Sequence, residues 1–89
     1  MKISNEKREK ISEQILAYLY SINPRPTFTV NIARELIRDE EFTKKLLLEL
    51  KKKGFVIEIK KNPKGISYSK RSRWRLSDKV YELYNQKQF

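Results

Sequence analysis

The sequence contains no cysteine and no histidine. Without cysteine the chain has neither a disulfide framework nor a thiolate metal site. Without histidine it lacks the commonest metal ligand and the usual general base near neutral pH. Glycine occurs only at Gly54 and Gly65, so there is no glycine-rich loop to cradle a phosphate group. These absences predict a protein that is not an enzyme and that binds no metal or cofactor.

Long apolar runs are also missing. No stretch approaches the roughly 20 apolar residues that cross a bilayer, and residues 1–6 lack the apolar segment of a signal peptide. The 89 residues, of which 38% are hydrophobic, fit one small folded domain. We therefore expect a single domain, residues 1–89, in the cytoplasm and without a membrane partner.

Positive charge is abundant and localised. Residues 51–75 hold ten lysines and arginines and one acid, Glu58, whereas the whole chain carries a net charge of +10. This segment alone therefore has a charge of +9, and the rest of the chain is close to neutral. Such a concentrated basic segment most often binds a polyanion, and nucleic acid is the commonest one.

Three helices are predicted in the first part of the chain. Residues 5–21 form the first, which Ser4 or Asn5 can cap. Prolines 24 and 26 end it, a short extended piece at 27–28 follows, and Thr29 can cap a second helix over 30–37. The third helix covers 40–53, with Gly54 as its left-handed C-cap. Apolar residues at helical spacing predict these buried faces: Ile11, Ile15, Leu19 and Ile22; Val30, Ala33, Leu36 and Ile37; Thr43, Leu46, Leu47 and Leu50.

After Gly54 the hydrophobic period changes from 3.6 to 2. Residues 55–60 and 71–76 alternate as strands do, and the turn residues 62–65 lie between them. Trp74 and Leu76 alternate with arginines, which predicts a strand with one buried face and one basic face. Ser77 can cap a last helix whose apolar stripe is Val80, Leu83 and Tyr84.

Two segments resemble the winged helix-turn-helix domain of MarR-like and PadR-like regulators from bacteria and archaea. One is the run from Thr43 to Val56, which is similar to a recognition helix that leads into a wing strand. The other is the run from Trp74 to Lys79, which is similar to the junction that closes the wing. The resemblance implies an α+β fold of three helices, a two-stranded hairpin (the wing, 55–76) and a C-terminal helix. It also implies a DNA-binding transcriptional regulator, with helix 40–53 in the major groove and the wing on the backbone or minor groove.

The candidate DNA-binding residues follow from this placement and from their chemistry. Lysines and a leucine on the outer face of helix three suit base edges, and basic or hydroxyl side chains on the wing suit phosphates. In the related family the start of helix two lies against the DNA backbone. The full set is Thr29, Asn31, Thr43, Lys44, Lys45, Leu48, Lys51, Lys52, Lys60, Lys61, Lys64, Ser67, Tyr68, Ser69, Lys70, Arg71 and Arg73.

Each of these signals also has a purely structural interpretation. Lysines 51–53 suit the C-terminal end of a helix dipole with or without DNA, and Thr29 suits a plain N-cap. Wing lysines also discourage edge-to-edge aggregation of strands. Asp39, Glu40 and Glu41 start helix three with negative charge, which suits the dipole but repels phosphates.

A lone domain of this size commonly binds DNA as a dimer, because two half-sites raise affinity. We expect a homodimer in which aromatic residues of the first and last helices make the contact: Tyr18, Tyr20, Tyr81, Tyr84 and Phe89. Three alternatives to a regulator stay open: a sequence-independent chromatin-like or plasmid-partition DNA binder, an RNA-binding winged helix, and a protein-interaction module. If the protein binds DNA, we expect it to be associated with the nucleoid. The sequence assigns no small-molecule effector.

Overall fold

The chain begins with helices and closes with a small antiparallel sheet and a last helix. The structure, a computed structural model, describes residues 4–60 and 71–87. Within these ranges the elements are α1 (Asn5–Ile22), β1 (Thr27–Phe28), α2 (Thr29–Leu36), α3 (Glu40–Lys52), β2 (Val56–Ile59), β3 (Arg73–Leu76) and α4 (Asp78–Gln86). None of these helices is both long and apolar enough to cross a bilayer.

Side-chain caps fix the start of three helices. The Ser4 hydroxyl accepts from the amide of Lys7, and the Ser77 hydroxyl accepts from the amide of Val80. The Asp39 carboxylate does the same for α3, where it accepts from the amide of Phe42. Each oxygen satisfies an amide that has no partner within its own helix. The predicted caps of the first and last helices are confirmed.

The second helix differs from its prediction at both ends. Phe28, not Thr29, is the N-cap residue, and no side chain caps the first turn. At the other end Ile37 leaves the helix with a φ of 54° and is 88% exposed, so its predicted burial is wrong. The left-handed turn at Ile37 swings its side chain off the buried face, and Ile32 and Ala33 fill that face instead.

The strands form one antiparallel sheet in the order β1-β3-β2. The predicted hairpin is present: Val56 pairs with Leu76, and Glu58 pairs with Trp74. The short strand β1 pairs with the other edge of β3, so the sheet has three strands rather than two. This edge ties the beginning of α2 to the base of the hairpin.

One hydrophobic core joins all four helices to the sheet. The stripe on α1 and the leucines of α3 pack around Trp74, which is fully buried as the sequence predicts. The buried members are Ile11, Ile15, Leu19, Ile32, Leu46, Leu47, Leu50, Val56, Trp74, Leu76 and Val80. Because α3 and β3 share this core, the outer face of α3 and the hairpin are held in a fixed relation.

Candidate nucleic-acid interface

The outer face of α3 carries the predicted basic residues. Lys44 and Lys45 are exposed, and Leu48 one turn later is 40% exposed. They share one face of α3, because residues three or four apart are neighbours on a helix. Leu46 and Leu47 lie on the opposite face and are buried in the core. The structure therefore presents Lys44, Lys45 and Leu48 to solvent together.

Thr43 is a correction to the predicted interface. Its side chain is fully buried, and its hydroxyl donates a hydrogen bond of 2.8 Å to the carbonyl of Asp39. The helical period turns Thr43 toward the same core as Leu46 and Leu47. It packs α3 against the core and is not on the face that a DNA groove would meet.

Thr29 serves the interior of the protein. Its hydroxyl accepts a 2.8 Å hydrogen bond from the indole nitrogen of Trp74, and both side chains are buried. A buried indole N–H needs such an acceptor. The predicted N-cap role of this side chain is wrong.

A small groove brings three predicted parts of the interface together. It is lined by Thr29 and Val30 at the start of α2, by Lys44 of α3 and by Arg71 and Ser72 at the base of the hairpin. Lys44 and Arg71 are both exposed. Two cationic side chains therefore flank the first turn of α2, whose amides have no side-chain cap. Uncapped amides at a helix start and nearby cations both favour an anion.

One acid also lines this groove. Glu40 lies at the start of α3, one turn before Lys44. Its negative carboxylate is stabilised by the positive end of the helix dipole. It also lowers the positive potential that an anion in the groove would meet, so the groove is less basic than its lysine and arginine alone would make it.

Asn31 and Arg73 are less accessible than the lysines. The Asn31 amide donates a 3.2 Å hydrogen bond to the hydroxyl of Thr27, which holds it against β1. Arg73 is partly buried, and its guanidinium lies 4.8 Å from the centre of the Phe28 ring. Such stacking on an aromatic ring is a stabilising cation–π contact. Arg73 therefore helps join β3 to β1.

The sequence prediction missed the role of Glu58. Its carboxylate lies 2.7 Å from the ammonium of Lys51 and 4.0 Å from that of Lys60, and it accepts a hydrogen bond from the hydroxyl of Ser72. Burial acts to raise the pKa of Glu58, but the hydrogen bonds from Lys51 and Ser72 and the charges of Lys51 and Lys60 outweigh it. The pKa of this carboxyl lies below its ordinary value. The available signal was that Glu58 is the only acid in the basic segment 51–75.

Part of the predicted set lies outside the described residues. These positions are Lys61, Lys64, Ser67, Tyr68, Ser69, Lys70 and Phe89. Lys51, Lys52 and Lys60 are described and exposed, and Lys51 and Lys52 occupy the last turn of α3. Within the described ranges, no group of three or more acids is arranged to hold a metal ion.

The tyrosines predicted for a dimer contact are largely occupied within the chain. The Tyr20 ring stacks on Tyr84 with centroids 5.2 Å apart and lies 5.4 Å from the ring of Tyr81. The Tyr20 hydroxyl also donates a 2.7 Å hydrogen bond to Asn85. These contacts fasten α4 to α1. The tyrosines, Tyr18 included, are partly buried against the core rather than fully exposed.

Comparisons with solved structures identify the fold. The goldfish (Carassius auratus) PKZ Zalpha domain, in complex with Z-DNA, matches with a TM-score of 0.61 and 18% identity over 79% of this chain and 97% of its own. Staphylococcus aureus MepR in a DNA complex matches with a TM-score of 0.70, 20% identity and 91% of this chain. The PcaV transcriptional regulator of Streptomyces coelicolor also reaches 0.70, with 15% identity and 91% of this chain.

The fold is a winged helix. In this fold α3 is the helix that leads into the wing, and the β2–β3 hairpin is the wing, as the sequence resemblance predicted. The chain spans 66% of the length of MepR and 55% of the length of PcaV. No family model matches the chain, and no curated protein matches it.

Proposed function

We propose that this protein binds duplex DNA and acts as a small transcriptional regulator, with α3 in the major groove and the wing on the backbone or the adjacent minor groove. The carrying observation is the groove in which Lys44 of α3 and Arg71 of the wing flank the first turn of α2. A phosphate there would meet two cations and uncapped amides. The nearby Lys45 and Leu48 would then face base edges.

The charge distribution supports the same orientation. Lys45, Lys51 and Lys52 are exposed on α3, and Lys60 is exposed just after β2; all but Lys45 belong to the segment of net charge +9. Neutralising phosphates with lysine and arginine releases counterions, and this release supplies much of the affinity of DNA-binding proteins. A protein with this charge is expected to associate with the nucleoid.

A paired substitution tests the proposed interface. Lys44→Gln with Arg71→Gln should weaken binding to a 20-base-pair duplex about tenfold or more and lower the salt slope by about 2, since two phosphate contacts are lost. Lys7→Gln with Lys10→Gln is the matched control, because both lysines are exposed on α1 and the change in charge is the same. Equal loss in both variants would mean that only net charge matters and that the groove is not the contact.

Selection from a random duplex library at about 150 mM salt distinguishes a regulator from a sequence-independent DNA binder. An enriched palindrome supports a sequence-specific dimer, since symmetric proteins bind symmetric half-sites. Absence of enrichment, with binding retained, would favour the chromatin-like or plasmid-partition alternative. Competition with structured RNA tests the RNA-binding alternative. Competition with a left-handed alternating dC–dG duplex tests whether the protein prefers that form of DNA.

The proposal extends to a homodimer, through a groove that Tyr84, one of the tyrosines predicted for the dimer contact, also lines. This groove, between α1 and α4, is lined by Leu16, Ala17 and Leu83, and Leu83 is 47% exposed. Glu13 and Lys87 also line it. A twofold interface uses the same patch on both copies. An apolar patch that holds one acid and one base is complementary to itself, because Glu13 of each copy can pair with Lys87 of the other.

Charge exchange tests this dimer. Glu13→Lys or Lys87→Glu alone should weaken self-association, because each brings like charges together across the twofold axis. The double variant Glu13→Lys with Lys87→Glu should restore it. Sedimentation equilibrium at high micromolar concentration measures the effect. A monomeric wild type, or a double variant no better than the singles, would exclude this interface.

A further inference from the structure

Glu58 is a buried carboxylate within the most basic part of the chain. Its side chain is only 6% exposed, and it lies on β2 opposite Trp74, on the face of the sheet that packs toward the core. Placing a carboxylate out of water is unfavourable unless hydrogen bonds and opposite charges compensate for the lost hydration. Glu58 has both kinds of compensating partner, opposite charges and a hydrogen-bond donor.

The partners of Glu58 come from three separate parts of the chain. Lys51 belongs to the last turn of α3, Lys60 follows the end of β2, and Ser72 precedes β3. One oxygen of Glu58 faces both ammonium groups, at 2.7 and 4.0 Å, and the other accepts from the Ser72 hydroxyl. The carboxylate therefore joins α3 to the segments at the ends of both wing strands.

We infer that Glu58 is a positioning residue for DNA binding, which holds Lys51 and Lys60 in fixed positions so that both ammonium groups meet the phosphate backbone together. This inference rests on the proposed function. Free lysine side chains lose conformational freedom when they bind, and lysines already ordered by Glu58 lose less. Both lysines keep a large exposed fraction, and an ammonium has three N–H donors, so a bond to Glu58 leaves others for phosphate.

Simple Coulomb attraction predicts the opposite effect of this residue. Glu58 is negative, and removing its charge raises the net charge of the segment and should strengthen DNA binding. Positioning predicts that the same removal weakens binding, because Lys51 and Lys60 become mobile. Weaker DNA binding after removal of the charge therefore supports positioning, and stronger binding supports simple Coulomb attraction.

Glu58→Gln is the direct test, because glutamine keeps the shape and can still accept a bond from Ser72. The matched control is Glu49→Gln, which removes an exposed carboxylate from α3 that pairs with Arg8 on α1. We expect Glu58→Gln to weaken binding to a 20-base-pair duplex by about 3- to 10-fold. Glu49→Gln should bind as tightly as the wild type or slightly more tightly. A Glu58→Gln variant that behaves like the control would overturn the inference.

A second background separates positioning from a general effect on folding. When Lys51→Gln and Lys60→Gln are already present, Glu58→Gln should cause no further loss of affinity, because the groups it positions are gone. An equal loss in that background would overturn the inference, since Glu58 would then act on the wing by another route. Thermal unfolding of each variant sets the assay temperature below every transition.

Ser72→Ala provides a variant without any change in charge. It removes one of the bonds that hold the carboxylate, so it should weaken duplex binding in the same direction but less than Glu58→Gln. Unchanged affinity would contradict the positioning of the carboxylate by Ser72.

If the wild type fails to bind duplex DNA at 50 mM salt, the proposed function is overturned and this inference with it. If the wild type binds and only the variants disagree, the inference alone fails.

Discussion

Ile37 is the one non-glycine residue with a positive φ among the described residues. It adopts a φ of 54° after α2, where it forms the C-cap, and its amide donates to the carbonyls of Ala33 and Arg34. A left-handed conformation is costly for residues with a Cβ and most costly for β-branched ones. The side chain is 88% exposed, so hydrophobic burial does little to offset this conformational cost.

Ile37→Gly should therefore stabilise the protein. Glycine relieves the left-handed conformation but loses more entropy on folding, so the expected net gain in the free energy of unfolding is about 0.5–1 kcal/mol. Ile37→Ala is the control, because alanine keeps the Cβ. Urea unfolding measures both variants. A glycine variant no more stable than the alanine variant would contradict strain at this position.

The residue scale also marks a limit of prediction from sequence. Alternation with arginines predicted that Trp74 is buried, because alternate residues of a strand face the same side. The same pattern could not reveal that Thr29, 45 residues earlier, accepts the hydrogen bond of its indole. Such pairing depends on β1 joining β3 and is a tertiary property. Local sequence favoured an N-cap for Thr29, and the buried indole overrode it.

At the scale of elements, Glu58 links α3, β2 and β3 in a manner that depends on pH. Its pKa is lowered in the folded protein by Lys51, Ser72 and Lys60, despite the opposing effect of burial. A carboxyl with a lowered folded pKa stabilises the protein above its unfolded pKa, about 4.3 for glutamate. That contribution is lost as the pH falls through the folded value.

A comparison with Glu58→Gln isolates this contribution. The wild type should be more stable than the variant at pH 7, and the difference should shrink as the pH falls below about 4.3. Urea unfolding between pH 7 and pH 3 measures it, since the other carboxylates contribute to both proteins. A difference that stays constant across this range would show that the ion pairs of Glu58 do not stabilise the fold.

Most element boundaries were predictable because local signals determine them. Ser4, Ser77 and Gly54 lie at the ends of helices, and the change of period after Gly54 marks β2. The left-handed Ile37 was not predictable, because glycine or asparagine normally occupies such positions. Of the residues predicted for DNA contact, Lys44 and Arg71 line one groove, whereas Thr43 is core because the helical period turns it inward.

At the scale of the whole molecule, the fold places described basic residues of α3 and of the base of the hairpin near one another. The core fixes α3 against β3, so Lys44 and Arg71 line one groove although 27 positions separate them. The groove between α1 and α4 is lined by Phe55 at the base of the wing but by neither Lys44 nor Arg71. The dimer proposed through α1 and α4 would therefore leave Lys44 and Arg71 of both copies uncovered.

Salt dependence of binding to a duplex tests the central claim most directly. If a dimer contacts six to ten phosphates, its affinity for a 20-base-pair duplex should fall about 10³- to 10⁵-fold between 50 and 200 mM salt. Fluorescence anisotropy of the labelled duplex measures this affinity for the wild-type protein. A steep linear plot of log K against log salt is the result that a phosphate-binding winged helix predicts. A flat plot, or no binding at 50 mM salt, would contradict it.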